Sequence, residues 1–152
     1  MLTAPLVINC CHCRWCQRET GSSYVVNAVI EADRVSVLCG KPREVLTPSE
    51  SGYGQRVVRC PNCWVALWSH YAGSGPAVRF VRVGTLDHPE RFAPQVHVFV
   101  SSKQPWVRIP DGVPQFSEFY ELGDVWSAES LERRRAIQPK IDAWRSSRAK
   151  MQ

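Results

Sequence analysis

The stretch Cys10-Cys11-His12-Cys13-Arg14-Trp15-Cys16-Gln17-Arg18-Glu19-Thr20-Gly21 decides how the chain is read, because it holds four of the seven cysteines. Cysteines in a Cys-x-x-Cys spacing put both sulfurs on one side of a tight knuckle, the geometry tetrahedral zinc requires. A second pair, Cys60-Pro61-Asn62-Cys63, lies downstream, and Cys39 stands alone. Two groupings are open. Cys13 and Cys16 with Cys60 and Cys63 would close a four-sulfur structural site. Cys11, Cys13 and Cys16 would instead make a three-sulfur site with its fourth position free, as catalytic zinc sites have. His12, between two candidate ligands, is expected to turn outward. Cys10 faces opposite to Cys11 on extended backbone, so it reads as a small packed side chain or a thiol behind the ligands. Cys39 reads as a buried core cysteine. Either Cys10 or Cys39 could serve as a substitute ligand at a site short of sulfurs.

Working outward from the knuckle, the chain is a series of short β-branched segments separated by Gly and Pro turns. Residues 3–9 predict an entering strand, and 17–22 a turn or single helical turn ending near Gly21. Residues 24–30 and 34–38 suggest a hairpin, and 39–42 a break. Pro48 to Gly54 reads as a loop, followed by strand-like segments at 55–59, 65–70, 78–83 and 96–100. No long run of helical periodicity separates them, so a doubly wound sheet is excluded and a mainly β domain over 1–123 is expected. After Gly123 the pattern changes. Residues 128–137 predict a helix capped by Ser127, and Pro139 is placed to begin a second. Leu131, Ile137, Ile141 and Trp144 form an apolar edge, expected to pack on the domain or on a second copy in a homodimer. Residues 124–152 are thus read as a basic, helical C-terminal extension.

The chain has 152 residues and a net charge of +5. Residues 1–129 carry 12 basic and 12 acidic side chains, whereas 130–152 carry 7 and 2. The excess therefore lies in the extension, which weighs against a nucleic-acid-binding domain. No apolar run approaches the length of a membrane span, and the first residues lack the pattern of a secretory signal. A cytoplasmic protein is expected, a compartment in which clustered cysteines point to metal before disulfides.

The knuckle at 11–21 resembles the signature of the glutathione-dependent formaldehyde-activating enzyme family, which also includes a eukaryotic centromere protein. Further blocks of that pattern recur at Cys60-Pro61-Asn62-Cys63, at Gly84-Thr85-Leu86-Asp87 with Pro89, and at His97-Val98-Phe99-Val100-Ser101-Ser102-Lys103-Gln104-Pro105-Trp106. Asp111, Gly112 and Pro114 continue the last block, so the resemblance covers roughly residues 9–116. It implies a β-tent, short antiparallel sheets meeting around zinc. It implies that Cys11, Cys13 and Cys16 hold a catalytic zinc, and that Cys60 and Cys63 belong to a separate structural zinc. In the family the remaining structural ligands come from a Cys-x-Cys pair on an earlier strand. Only ten residues precede Cys11 here, and that pair is absent. The expectation is an upstream start, completion by Cys39 or Cys10, or an incomplete site. Trp64 stands where the family usually has Gly.

A zinc bearing three thiolates is a weak Lewis acid that suits another soft thiolate as fourth ligand. The resemblance accordingly implies a carbon–sulfur lyase chemistry: glutathione adding to formaldehyde, the reverse cleavage of S-hydroxymethylglutathione, or the same step on a related small-thiol adduct. Around such a site Trp15 could wall a pocket and Arg18 could take a substrate carboxylate or be a surface arginine. Gln17 and Ser22 could hydrogen-bond a bound peptide or close the turn. His97 could bond a zinc thiolate or the substrate, or be a satisfied core histidine. Lys103 and Trp106 read as fixing the loop around Pro105, and Asp87 as a turn cap. The alternative is a non-enzymatic, zinc-stabilised interaction module that uses the basic extension to hold nucleic acid or protein.

Overall fold

The computed structural model describes residues 1–149. The expected extension runs to 152, and its last three residues lie outside those described. Val7 and Ile8, followed by Asn9 and two cysteines, build the strand on which everything else is hung. This is β1 (Val7–Cys11), buried at all five positions. The other strands are β2 (Val25–Glu31), β3 (Arg43–Thr47), β4 (Gln55–Arg59), β5 (Ala66–Tyr71), β6 (Val78–Arg82) and β7 (Val96–Val98). They form one sheet in the order β3-β4-β5-β6-β2-β1-β7. All its pairs are antiparallel except β1 with β7, which run parallel with Cys10 opposite His97 and Cys11 opposite Val98. Among the described residues four α-helices accompany the sheet: α1 (Arg14–Thr20), α2 (Leu122–Val125), α3 (Ala128–Ala136) and α4 (Gln138–Ala149).

This is a mixed sheet-and-helix fold with a C-terminal helical extension. The helices lie in the expected extension and in the turn after the knuckle, and the departure from expectation is one continuous sheet rather than several short ones. The hairpin expected from 24–30 and 34–38 does not form. Residues 32–34 make a tight 3₁₀ turn, residues 35–38 run unpaired, and β2 pairs with β1 and β6 instead. The edge strand β3 escapes the sequence pattern because Arg43–Thr47 is almost wholly exposed and lacks an apolar alternation.

Alternation along β1 divides the core. Val7 and Cys11 face Cys13, Cys16, Val25, Val29, Val98, Tyr120 and Trp126, whereas Ile8 faces Ala28, Ile30, Trp68 and Val81. The extension belongs to the first of these clusters, since Ile137 and Ile141 are buried within it. Such side chains stabilise by about 1.5–3 kcal/mol each when removed from water. Ser127 caps α3 as expected, its Oγ accepting from the Ser130 amide at 3.1 Å. Ser130 Oγ in turn donates to the Leu6 carbonyl at 2.8 Å. Arg133 grips both carboxylate oxygens of Glu31 at 2.8 and 2.7 Å, tying α3 to the end of β2. Trp144 donates to the Ala72 carbonyl and lies where a Cβ at Gly75 would stand, so that residue must be glycine, as its φ of +55° also requires. The apolar edge of the extension is thus covered by its own chain and needs no second copy to shield it.

Candidate metal centre

Cys11 closes β1, and the chain then turns into α1 with Cys13 as its cap. Cys13 has extended backbone, and its Sγ accepts from the Cys16 amide at 3.4 Å. Thr20 Oγ1 returns to the Cys16 carbonyl at 2.8 Å, and Gly21 ends the helix with φ +64°. This brief helix carries Cys16 back over Cys11 and Cys13. The three sulfurs lie within 4.8 Å of one another, and all three residues are buried.

The knuckle is held from outside by two sets of bonds. Gln17 Nε2 donates to the carbonyls of His12 at 2.6 Å and Ser102 at 2.9 Å, and Gln104 donates to Gln17 Oε1 at 2.7 Å. Ser102 Oγ also donates to the His12 carbonyl at 3.0 Å. Phe99, with φ +56°, swings the chain off β7 and brings this segment under α1. On the other side Glu19 pairs with Arg59 and with Arg82, the latter at 3.6 Å. The blocks at 11–21 and 97–104 are therefore one construction.

Three thiols this close cannot ionise independently. Cys13 is pulled down to about 3 by hydrogen bonds from the Cys11 and Cys16 thiols, overcoming burial, with the amides of Cys16 and Trp15 adding to the effect. Cys16 is favoured by Cys11, but its bond to Cys13 and its burial push it up to about 12. Cys11 is raised by its bonds to Cys13 and Cys16 and by burial. One negative charge is thus shared among three soft donors, and a bound divalent cation would replace the shared protons. The donor set fits zinc.

These sulfurs face a cavity of about 530 Å³, within the range of small-ligand sites. Trp15, Val98, Phe99 and Tyr120 contribute apolar wall, and Arg134 and Arg145 reach it from α3 and α4. Tyr71 also lines it. Burial, followed by the nearby Cys16, raises its phenol well above the usual value, so it stays protonated. Tyr120 is fixed in a chain in which Trp126 donates to Tyr120 Oη at 3.0 Å and Tyr120 donates to Asn9 Oδ1 at 2.8 Å.

The expected site residues separate on this geometry. Trp15 walls the cavity. Arg18 is exposed and lies over the Trp15 ring at 5.0 Å, outside the cavity lining. Gln17 spends its amide hydrogens on the protein, so it shapes the knuckle and has none left to donate to a ligand. Ser22 is exposed and closes the turn, its amide donating to Thr20 Oγ1 at 3.3 Å. His97 does not line the cavity; its Nδ1 meets His12 Nε2 at 2.9 Å behind β1.

His12 is a correction. It is fully buried rather than turned outward, stacked on His97 at 5.2 Å, with Cys10 Sγ 3.6 Å from its Nε2. Burial first, then His97 and Lys103, lowers its pKa to about 4, so it is neutral at neutral pH. Cys10, His12 and His97 make a second buried group with ligand atoms within 4.8 Å of one another. Nothing in the local pattern points to it, because His97 lies 85 residues from His12 in sequence.

The remaining cysteines also depart from expectation. Cys39 is exposed, in a loop rather than at a strand end, and is no core residue. Cys60 is half-buried and Cys63 exposed. Among the described residues no third His, Cys, Asp or Glu gathers with them, so neither Cys10 nor Cys39 completes that pair and the grouping with Cys13 and Cys16 does not form. Trp64, in the place of the family's glycine, has φ +60°.

A buried three-cysteine cluster open to a cavity, set on a mixed sheet with a covering helical extension, defines a candidate metal-binding domain. Its family is shown directly. The family model described as glutathione-dependent formaldehyde-activating enzyme matches residues 1–102, two thirds of the chain, and the chain belongs to that family. A search of curated proteins returned no match. Among the described residues no helix is long and apolar enough to cross a membrane. Arg134 and Arg145, which sequence reasoning did not single out, lie beyond the matched span.

Proposed function

We propose that this chain is a zinc-dependent enzyme of carbon–sulfur lyase type, forming or cleaving S-hydroxymethylglutathione or a related small-thiol adduct. The observation that carries the reading is the three buried sulfurs of Cys11, Cys13 and Cys16 facing an apolar cavity of about 530 Å³. Those cysteines would hold the zinc, which when bound supplies a position where a thiol is kept as thiolate near neutral pH. Gln17, Ser102 and Glu19 fix the knuckle that gathers the sulfurs. Trp15 and Phe99 give the cavity apolar wall. Tyr71, protonated at neutral pH, lines the same cavity and would offer its O–H as a hydrogen-bond donor to the oxygen of the bound adduct. Proximity and orientation would supply most of the acceleration.

The interaction-module reading draws less support. Arg133 and Lys140 are engaged by Glu31 and Asp33, and the extension packs on its own sheet. The test is titration of zinc-loaded protein with glutathione and S-methylglutathione, followed by assay of S-hydroxymethylglutathione formation and cleavage. The expected result is preference for the free thiol and a rate above the uncatalysed one. Equal affinities would discard zinc–sulfur contact, and tight thiol binding without acceleration would make the protein a carrier.

A further inference from the structure

Part of the cavity wall is built by the C-terminal extension, and two guanidinium groups reach it, Arg134 half-buried and Arg145 exposed. Arg134 comes from α3 and Arg145 from α4, elements separated by the break at Ile137. The two are near enough to interact. Burial first, and then Arg145, disfavours the charge on Arg134, with Asp142 opposing. Among the described residues neither makes a salt bridge, whereas neighbouring Arg133 is paired with Glu31. Their hydrogen bonds leave donor capacity over. Arg134 Nη1 donates to Gln138 Oε1 at 2.6 Å, and Arg145 Nε donates to the Gly73 carbonyl at 2.9 Å. The terminal amino groups of Arg145 have no acceptor among the described residues. The one carboxylate lining the cavity is Glu50, exposed on the loop before β4.

Two neighbouring guanidinium groups at the rim of a largely apolar recess, one half-buried and one exposed, make a favourable place for an anion. Guanidinium is also the group whose fork matches a carboxylate in two parallel bonds. We infer that Arg134 and Arg145 are the carboxylate-binding end of this cavity, so that the ligand is an anionic thiol with its sulfur toward Cys11, Cys13 and Cys16 and a carboxylate on the arginines. The inference rests on the proposed thiol site and adds the charge that its ligand must carry. It also gives the extension a part in recognition, in place of Arg18, which lies outside the cavity.

The test uses the full zinc-loaded chain and three probes: glutathione, its diethyl ester with the thiol kept and the carboxylates blocked, and S-methylglutathione with the reverse. Affinities are measured by calorimetry for the native protein, R134Q, R145Q and the double variant. Each single change is expected to weaken glutathione and S-methylglutathione about tenfold, and the pair about a hundredfold, in line with charge-assisted bonds, while the ester is unaffected. Unchanged glutathione affinity in the double variant overturns the inference, as does an equal loss for the ester, which would mean a packing role. The native protein alone supplies a check that does not depend on variants folding: it must prefer glutathione over the diethyl ester by at least about tenfold, and equal affinity overturns the inference. Equal binding of glutathione and S-methylglutathione, both weakened by the arginine changes, would sink the thiol reading and leave the arginine site standing. Binding of none of the three overturns both.

Discussion

Cys13 serves two ends at the residue scale. Its sulfur caps α1 through the Cys16 amide, and it accepts hydrogen bonds from the other two cysteines of the cluster. Replacing it therefore removes a ligand and a helix cap together. We expect Cys13→Ser to lose the zinc bound by the native protein, and Cys60→Ser to retain it, by metal analysis of the purified chains. Loss of one and the same zinc from both variants would mean that the two cysteine pairs share a metal after all. Trp64 carries a different expectation. A side chain at φ +60° costs roughly 1–2 kcal/mol that glycine avoids. Trp64→Gly should consequently be more stable than Trp64→Ala by about 1 kcal/mol in denaturant titration; equal stabilities would show that the backbone there carries no strain. Spacing offered Cys11, Cys13 and Cys16 as one of two groupings, because a knuckle of six residues keeps its sulfurs near one another, and the family resemblance pointed to that one. Spacing misplaced His12 as turned outward, since its burial depends on His97 across the sheet, and it left Gln17 open between ligand and turn, since its acceptors come from residues 12 and 102.

At the scale of elements, the joint between β2 and α3 is the most informative. Burial alone would raise the Glu31 carboxyl, but the Arg133 fork, a backbone amide and Arg34 outweigh it and hold it below its usual value. A carboxyl depressed on folding contributes stability above its unfolded pKa, and that contribution disappears as pH falls through the lower folded value. Glu31→Gln should therefore cost about 3 kcal/mol near neutral pH, where it strands Arg133, and progressively less below about pH 4. Thermal or denaturant unfolding across that range measures it; a pH-independent cost would mean that the pair contributes through shape alone. The two helices of the extension were legible in sequence because Ser127, Pro139 and the Ile137–Ile141 spacing are local signals. The pairing of β2 was not, since the choice between residues 34–38 and the distant β1 and β6 is made by burial of both strand faces. Nor was β3, an exposed edge whose polar residues carry no strand pattern.

Across the whole molecule, the cavity joins the two ends of the chain. The sulfurs come from its first sixteen residues, and part of the opposite wall comes from Tyr120, Trp126, Arg134 and Arg145. Neither half makes the recess by itself, which is why the family pattern could point to the knuckle but not to the groups that face it. The central claim is that Cys11, Cys13 and Cys16 hold zinc with a fourth position that accepts a thiol sulfur. X-ray absorption at the zinc edge tests it most directly. The account predicts three sulfurs at about 2.3 Å with one lighter ligand in the protein alone, and four sulfurs after glutathione is added. Four sulfurs before any thiol is present, or an unchanged shell after saturating glutathione, would contradict it.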